Sequence, residues 1–372
     1  MLPGQTSARG VRTVGRFAFV LHPVSMRDFY RKYPFLERLP ERTVEGAFRM
    51  IPPWTGAHIT GIVSPTGAEA EGWFILLPWT PRVLLETPWP ATLRRLEQAG
   101  RIAEAHGAQL LGLGAYTKIA GDRGVTLNER LSIPVTTGNS YTAATAVEGA
   151  LLAADRMGIA PAGCTCAIIG ATGAIGTACA RVLAGDVGRL LLVARDQERL
   201  SALQDELQGQ GSAVETTTDV AAAARQSEII ICVSSSTEEL LSPDDCRPGA
   251  VVCDVARPRN VSAAFGDRRD DVLVMDGGVI AIPGERCDFG MDFGFPPRTA
   301  EACIAETIIL ALEGRWEAFT LGRDISADRV REIAALGRKH GLRVAGFRRF
   351  ERAIPDVYVD SIRARAVARR RA

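Results

Sequence analysis

The segment Gly170-Ala171-Thr172-Gly173-Ala174-Ile175-Gly176 constrains the fold more than any other stretch of the chain. It follows the apolar run Cys166 to Ile169 and precedes TACARVLAG, which reads as a helix. In a strand-turn-helix of this kind the first glycine turns the chain tightly. The second lets main chain approach a pyrophosphate, and the third lets the helix pack close to the strand. The helix start then offers oriented N–H groups to an anion. Three glycines alone are a weak signal, and here the setting strengthens them. From Cys166 to Met275 the runs CAIIG, RLLLVA, EIIICV, AVVCDV and DVLVM recur at strand length, separated by polar and Ala-rich segments. Parallel strands buried on both faces need such continuous runs. The region is therefore predicted as a Rossmann-like, doubly wound α/β sheet.

The preceding part of the chain is α/β of another kind. HITGIV and GWFILL, with a Pro-Thr-Gly turn between them, read as a hairpin or adjacent strands. Leu93, Leu96, Ala99 and Ile102 mark an amphipathic helix leading to a short strand around Leu110 to Leu113, and a further helix is expected from about Ser140 to Met157. The predicted division is an N-terminal α/β substrate domain over residues 16–156, a Rossmann-like NADP-binding and catalytic domain over 157–345, and an Arg-rich extension over 346–372. That extension reads as a solvated, partly disordered end.

Composition narrows the function classes. Lys and Arg number 44 against 43 Asp and Glu, a formal net charge of +1, which gives no support to nucleic-acid binding. The 8 Cys form no paired CxxC motifs, and the 4 His are dispersed, so no zinc signature is present and a reduced, cytoplasmic setting is expected. His106 and His340, each followed by Gly, read as helix C-termini. No apolar stretch reaches membrane-spanning length and the chain start lacks a secretory pattern. The expectation is a soluble protein with no integral membrane span, with transient membrane association and divalent-metal stimulation left open.

Candidate site residues follow from these elements. Gly170, Thr172, Gly173, Ala174, Ile175 and Gly176 form the expected dinucleotide loop. Arg195, directly after the second strand of the sheet, suits the 2′-phosphate of NADPH, while Asp196 keeps NAD open and Arg199 is a weaker second contact. Gly277 and Gly278, after an apolar strand, either contact the nicotinamide or merely turn the chain. Thr137-Gly138-Asn139 is a turn near substrate or an ordinary helix cap. Cys303 falls near a predicted helix start with Thr299 as N-cap. A helix N-terminus can lower a thiol pKa, so Cys303 is either a nucleophile or a packed side chain.

GATGAIGTACARVL, LLLVARDQERL, MDGGVI, TTGNSYTAA and RTAEACIAETIILALEGRWEAFTLGR together resemble the fatty-aldehyde-forming long-chain acyl-[acyl-carrier-protein] reductases of cyanobacterial type, from about Phe17 to Ala345. The resemblance implies reduction of a fatty acyl thioester to aldehyde with NADPH, Cys303 as the acyl-carrying nucleophile, acyl carrier protein or acyl-CoA as donor, and a downstream aldehyde-processing enzyme as a further partner. The chain departs from the family at Ser140-Tyr141, where a Thr-His pair is usual. Tyr141 and Asn139 are left as substrate-contacting or orienting candidates. Two other readings stay open. One is an NADP-dependent dehydrogenase of another small carbonyl compound, without an acyl-enzyme. The other is a non-catalytic dinucleotide-responsive binding protein.

Overall fold

The computed structural model describes residues 14–236, 238–350 and 352–371. The chain start in which no secretory pattern was read falls largely outside them. A first sheet is built from β1 (Gly15–Leu21), β2 (Trp54–Val63), β3 (Glu69–Leu76), β4 (Leu111–Leu113) and β5 (Val135–Thr136) in the order β2-β3-β1-β4-β5. The expected hairpin is the antiparallel pair β2–β3, and every other pairing in this sheet is parallel. Its helices are α1 (Met26–Lys32), α2 (Glu41–Met50), α3 (Pro81–Glu86), α4 (Trp89–Ala105), α5 (Val125–Arg130) and α6 (Asn139–Met157). Leu93, Leu96 and Ala99 form the buried stripe of α4 against this sheet, and His106 caps its C-terminus.

The second sheet contains β6 (Thr165–Ile169), β7 (Arg189–Val193), β8 (Ala213–Thr217), β9 (Ile229–Cys232), β10 (Val251–Asp254) and β11 (Leu273–Asp276) in the order β11-β10-β9-β6-β7-β8. All its pairings are parallel. α7 (Ala174–Leu183), α8 (Gln197–Leu207), α9 (Val220–Gln226) and α10 (Phe265–Arg268) connect these strands. The five predicted strands are present. The edge strand β8, AVETT, was missed because an edge needs no apolar run, and none of its residues is fully buried. An N-terminal mixed α/β domain therefore precedes a Rossmann-like parallel sheet.

The chain then returns to the first sheet. β12 (Val279–Ala281) and β13 (Thr299–Glu301) lead into α11 (Ala302–Glu313), followed by α12 (Ala327–Lys339) and β14 (Arg343–Val344). α11 packs on β1, β4 and α6, so a helix encoded after the nucleotide-binding strands forms part of the N-terminal core. The short pair β15 (Arg348–Arg349) and β16 (Arg352–Ala353) precedes α13 (Asp356–Arg371). The expectation of a solvated, partly disordered end is corrected here. Val359, Ile362 and Ala366 form a buried helical stripe, while Arg369 bonds Asp271 at 2.7 Å and Arg156 reaches Asp356 at 2.9 Å. Among the described residues no helix is long and apolar enough to cross a membrane.

Candidate active site

The carboxyl ends of strands from both sheets open into one cleft of about 680 Å³. Open α/β sheets place ligands at that edge. At one end lies the glycine loop. Gly170 has φ +94°, and a Cβ there would stand 2.7 Å from the Ser234 amide nitrogen; a Cβ on Gly176 would stand 2.2 Å from the Gly170 carbonyl oxygen. Gly173 is the N-cap of α7 and offers no side-chain cap. The helix start is therefore bare and directed at a loop that side chains would fill, which fits a pyrophosphate. Thr172, Ala174, Ile175 and Arg195 line the same cleft, as do Gly277 and Gly278 from the end of β11. Asp196 accepts from the Arg199 amide at 3.1 Å and caps α8.

The other end is assembled from loops and helix starts distant in sequence: Lys118, Asn139, Thr142, Arg257, Glu301 and Cys303. Gly138, at φ +71°, precedes α6, and a Cβ there would lie 2.3 Å from Cys303 Cα. The first turns of α6 and α11 thus meet where no side chain fits. Asn139 is buried, and its Oδ1 accepts no hydrogen bond from the described residues. Lys118 is only 9% exposed, and its Nζ donates to the Thr137 carbonyl at 3.4 Å. Sequence reasoning missed this lysine, because a single Lys in a YTKIAG loop carries no pattern.

Tyr141 does not join the site. Its ring packs in the core with its hydroxyl toward Gly337 of α12, and burial raises its pKa. Its backbone N–H donates to Glu306 Oε2 at 2.9 Å, while Glu306 Oε1 accepts from Thr136 Oγ1 at 2.6 Å. Glu306 is fully buried, which raises its pKa despite these bonds.

Cys303 lies in the first turn of α11 as expected, but the N-cap is Glu301, and Thr299 sits in β13. The thiol is 5% exposed and donates to Glu301 Oε2 at 3.8 Å. Burial, with the Glu301 charge beside it, pushes its pKa up to about 12 against the opposing pull of Lys118. The expected lowering by the helix start is outweighed, because desolvation and two carboxylates favour the neutral thiol.

A second, largely apolar cavity of about 390 Å³ adjoins the cleft and shares Ala115 and Glu301 with it. Phe19, Met291, Phe293, Phe295 and Ile304 contribute to its wall. Among the described residues no group of three His, Cys, Asp or Glu is placed to hold a metal.

The family model described as shikimate / quinate 5-dehydrogenase matches residues 152–276, the span of the glycine loop and the parallel sheet. The aminotransferase PigE of a Serratia strain is 30% identical over 349 residues, taking in 88% of this chain. The matched part is 39% of PigE, so the chain spans about two-fifths of that relative. The long-chain acyl-[acyl-carrier-protein] reductase of Synechococcus elongatus is 30% identical over 313 residues, 78% of this chain and 87% of the reductase. The chain belongs to the family of that reductase. It is an NAD(P)-binding oxidoreductase whose cofactor is a nicotinamide dinucleotide. Among solved structures, L-tryptophan dehydrogenase from Nostoc punctiforme aligns over 96% of this chain and 89% of its own at 11% identity and TM-score 0.41. Quinate dehydrogenase from Corynebacterium glutamicum in complex with NAD aligns over 86% and 98% at 12% identity and TM-score 0.38. Likenesses this distant say nothing of substrate.

Membership of a family describes descent and fold, and the reaction has to be read from the site. Here the expectation of a fatty acyl-thioester reductase, with a Cys303 acyl-enzyme and a fatty aldehyde product, is overturned. The family model that covers the nucleotide-binding sheet is that of a dehydrogenase, and the Cys303 thiol is held protonated and buried.

Proposed function

We propose that the protein is an NADPH-linked dehydrogenase that interconverts a small carbonyl compound and its reduced form without an acyl-enzyme. One observation carries this reading: the buried Lys118 and Asn139, whose Oδ1 accepts no bond from the described residues, share a single cleft with the glycine loop. Gly170, Thr172, Gly173, Ala174, Ile175 and Gly176 would cradle the pyrophosphate, and Gly277 and Gly278 would lie along the nicotinamide. Arg195 would fork onto the 2′-phosphate. The choice of NADPH over NADH is supported by Arg195 directly after β7 in the lining of the cleft, while Asp196 gives its Oδ1 to the cap of α8. In this division of labour residues 157–345 hold the cofactor and residues 16–156 supply most of the substrate wall, with α11 crossing back to complete it.

The bound dinucleotide supplies the hydride. Lys118 would hold its ammonium against the substrate carbonyl oxygen and pass it a proton as negative charge develops, reversing the transfer in the oxidative direction. Asn139 would orient the same carbonyl through its carboxamide. Cys303 would remain a protonated wall residue donating to Glu301. The adjoining apolar cavity gives room for an apolar substituent on the substrate.

A carrier-protein or coenzyme A acyl donor has support only in the name of the Synechococcus relative, so acyl thioesters belong in the test. Steady-state rates with NADPH should be measured on a panel of aldehydes, ketones and 2-oxo acids, beside acyl-CoA and acyl-carrier thioesters. Turnover on a carbonyl compound and none on the thioesters is expected. Aldehyde release from a thioester, with no carbonyl compound turned over, would overturn the reading.

A further inference from the structure

The mouth of the cleft gathers three guanidiniums. Arg123, Arg199 and Arg323 all line it, and Arg123 feels the repulsion of the other two. Among the described residues none of the three makes an ion pair with a carboxylate, and the carboxylates near them in the chain each accept a bond from a group other than these guanidiniums. Asp122 accepts from the Thr126 amide at 2.9 Å, Asp196 caps α8, and Asp324 pairs with Arg181 at 2.5 Å. The guanidiniums come from both sides of the cleft. Arg199, at the start of α8, donates to the Thr172 carbonyl and is thereby anchored on the glycine loop. Arg123 stands before α5 in the left-handed region, at φ +59°, and its carbonyl accepts from the Gly322 amide at 3.3 Å. That bond ties the Arg123 loop to the one that carries Arg323.

Like charges brought together without a counter-ion are destabilising unless a ligand supplies the opposite charge. Planar guanidinium forks match phosphate oxygens, and three of them suit a group of more than one negative charge. We propose that Arg123, Arg199 and Arg323 form a phosphate clamp over the bound dinucleotide, Arg199 from beside the glycine loop and Arg123 and Arg323 from across the cleft. The inference rests on the dinucleotide reading and adds to it two loops outside the nucleotide-binding sheet. The phosphate is either the 2′-phosphate of the adenosine or the pyrophosphate bridge.

Calorimetric titration of the full chain with NADPH, NADH and adenosine 2′,5′-bisphosphate tests the clamp in wild type, Arg323→Gln and Arg123→Gln/Arg323→Gln. Arg323 is exposed and makes no side-chain bond among the described residues, so Arg323→Gln leaves the fold intact, and thermal unfolding checks the double variant. The double variant should bind about tenfold or more weakly, as expected for losing charge-assisted bonds. A loss for NADPH and the bisphosphate with NADH spared places the clamp on the 2′-phosphate; an equal loss for NADPH and NADH places it on the pyrophosphate. Unchanged affinities for all three ligands in a folded double variant overturn the clamp and leave the dinucleotide reading standing. A wild type that binds none of the three overturns both.

Discussion

The two ends of the cleft are built by opposite strategies. The nucleotide end is local: strand, glycine loop and helix follow one another within residues 165–183, and Arg195 and Arg199 come from the next strand-to-helix join. The proposed reaction end draws Lys118 from the loop after β4, Asn139 from the start of α6 and Glu301 and Cys303 from the start of α11. A local device can be moved between folds with its ligand, whereas a site drawn from distant segments is specific to one arrangement of them. The difference explains how a dehydrogenase family model can match the first end while the reaction has to be read from the second.

If the two ends do separate work, substitutions at each should leave different kinetic marks. The largest effect is expected from Lys118→Met, which removes the proton donor and should lower kcat by roughly 10²- to 10⁴-fold. NADPH affinity, measured by fluorescence titration, should stay unchanged. A matching fall in cofactor affinity would break the comparison, because Lys118 would then belong to the nucleotide end.

His22 tests whether the sheet under the reaction end depends on pH. Its Nε2 accepts from the Tyr116 amide at 3.0 Å and its Nδ1–H donates to the Pro23 carbonyl at 2.9 Å, so the neutral ring is the one built in. Burial lowers its pKa from 6.5 to about 4. The unfolded chain therefore binds the extra proton. The stability this ring contributes is complete above pH 6.5 and is lost as pH falls toward 4, by about 3 kcal/mol in all. Urea midpoints of wild type and His22→Gln, compared across that window, should converge as the pH drops. A constant gap between them would remove His22 from the acid response.

Arg195→Ala should weaken NADPH binding about tenfold, the loss expected for a charge-assisted fork at an exposed site. It should leave NADH binding and kcat at saturating cofactor alone. Equal losses for both cofactors would reject the 2′-phosphate assignment. Cys303→Ala should have the smallest effect, a change in turnover of less than about threefold, since a buried, protonated thiol takes no part in the proposed proton transfer. Loss of turnover in a folded Cys303→Ala protein would return that sulfur to the chemistry.

The same contrast decides what could be read from the sequence. The buried parallel strands and the glycine loop announce themselves through apolar runs and through positions where only glycine fits. β8 and α13 did not, one because an edge strand needs no apolar run, the other because Val359, Ile362 and Ala366 lie scattered among arginines. At the reaction end Cys303 drew attention through its residue type and place near a helix start. What decides its protonation is Glu301, Glu306 and burial, none visible before the fold is known. Lys118 gave no signal because its significance arises from Asn139 and Cys303, which lie elsewhere in the chain.

Glu306 also orders the site in time. Its carboxylate accepts from Thr136 Oγ1 and the Tyr141 amide, which lie 170 and 165 residues earlier. A chain made from its N-terminus releases β5 and the start of α6 long before that acceptor exists. Until α11 has been synthesised and docked, the Tyr141 amide and the Thr136 hydroxyl must take their hydrogen bonds from water. The glycine loop, by contrast, has its strand and helix beside it as soon as they emerge. Biosynthesis thus offers the glycine loop before the Glu306 acceptor, and the proposed reaction end waits for α11, a helix encoded after the whole parallel sheet.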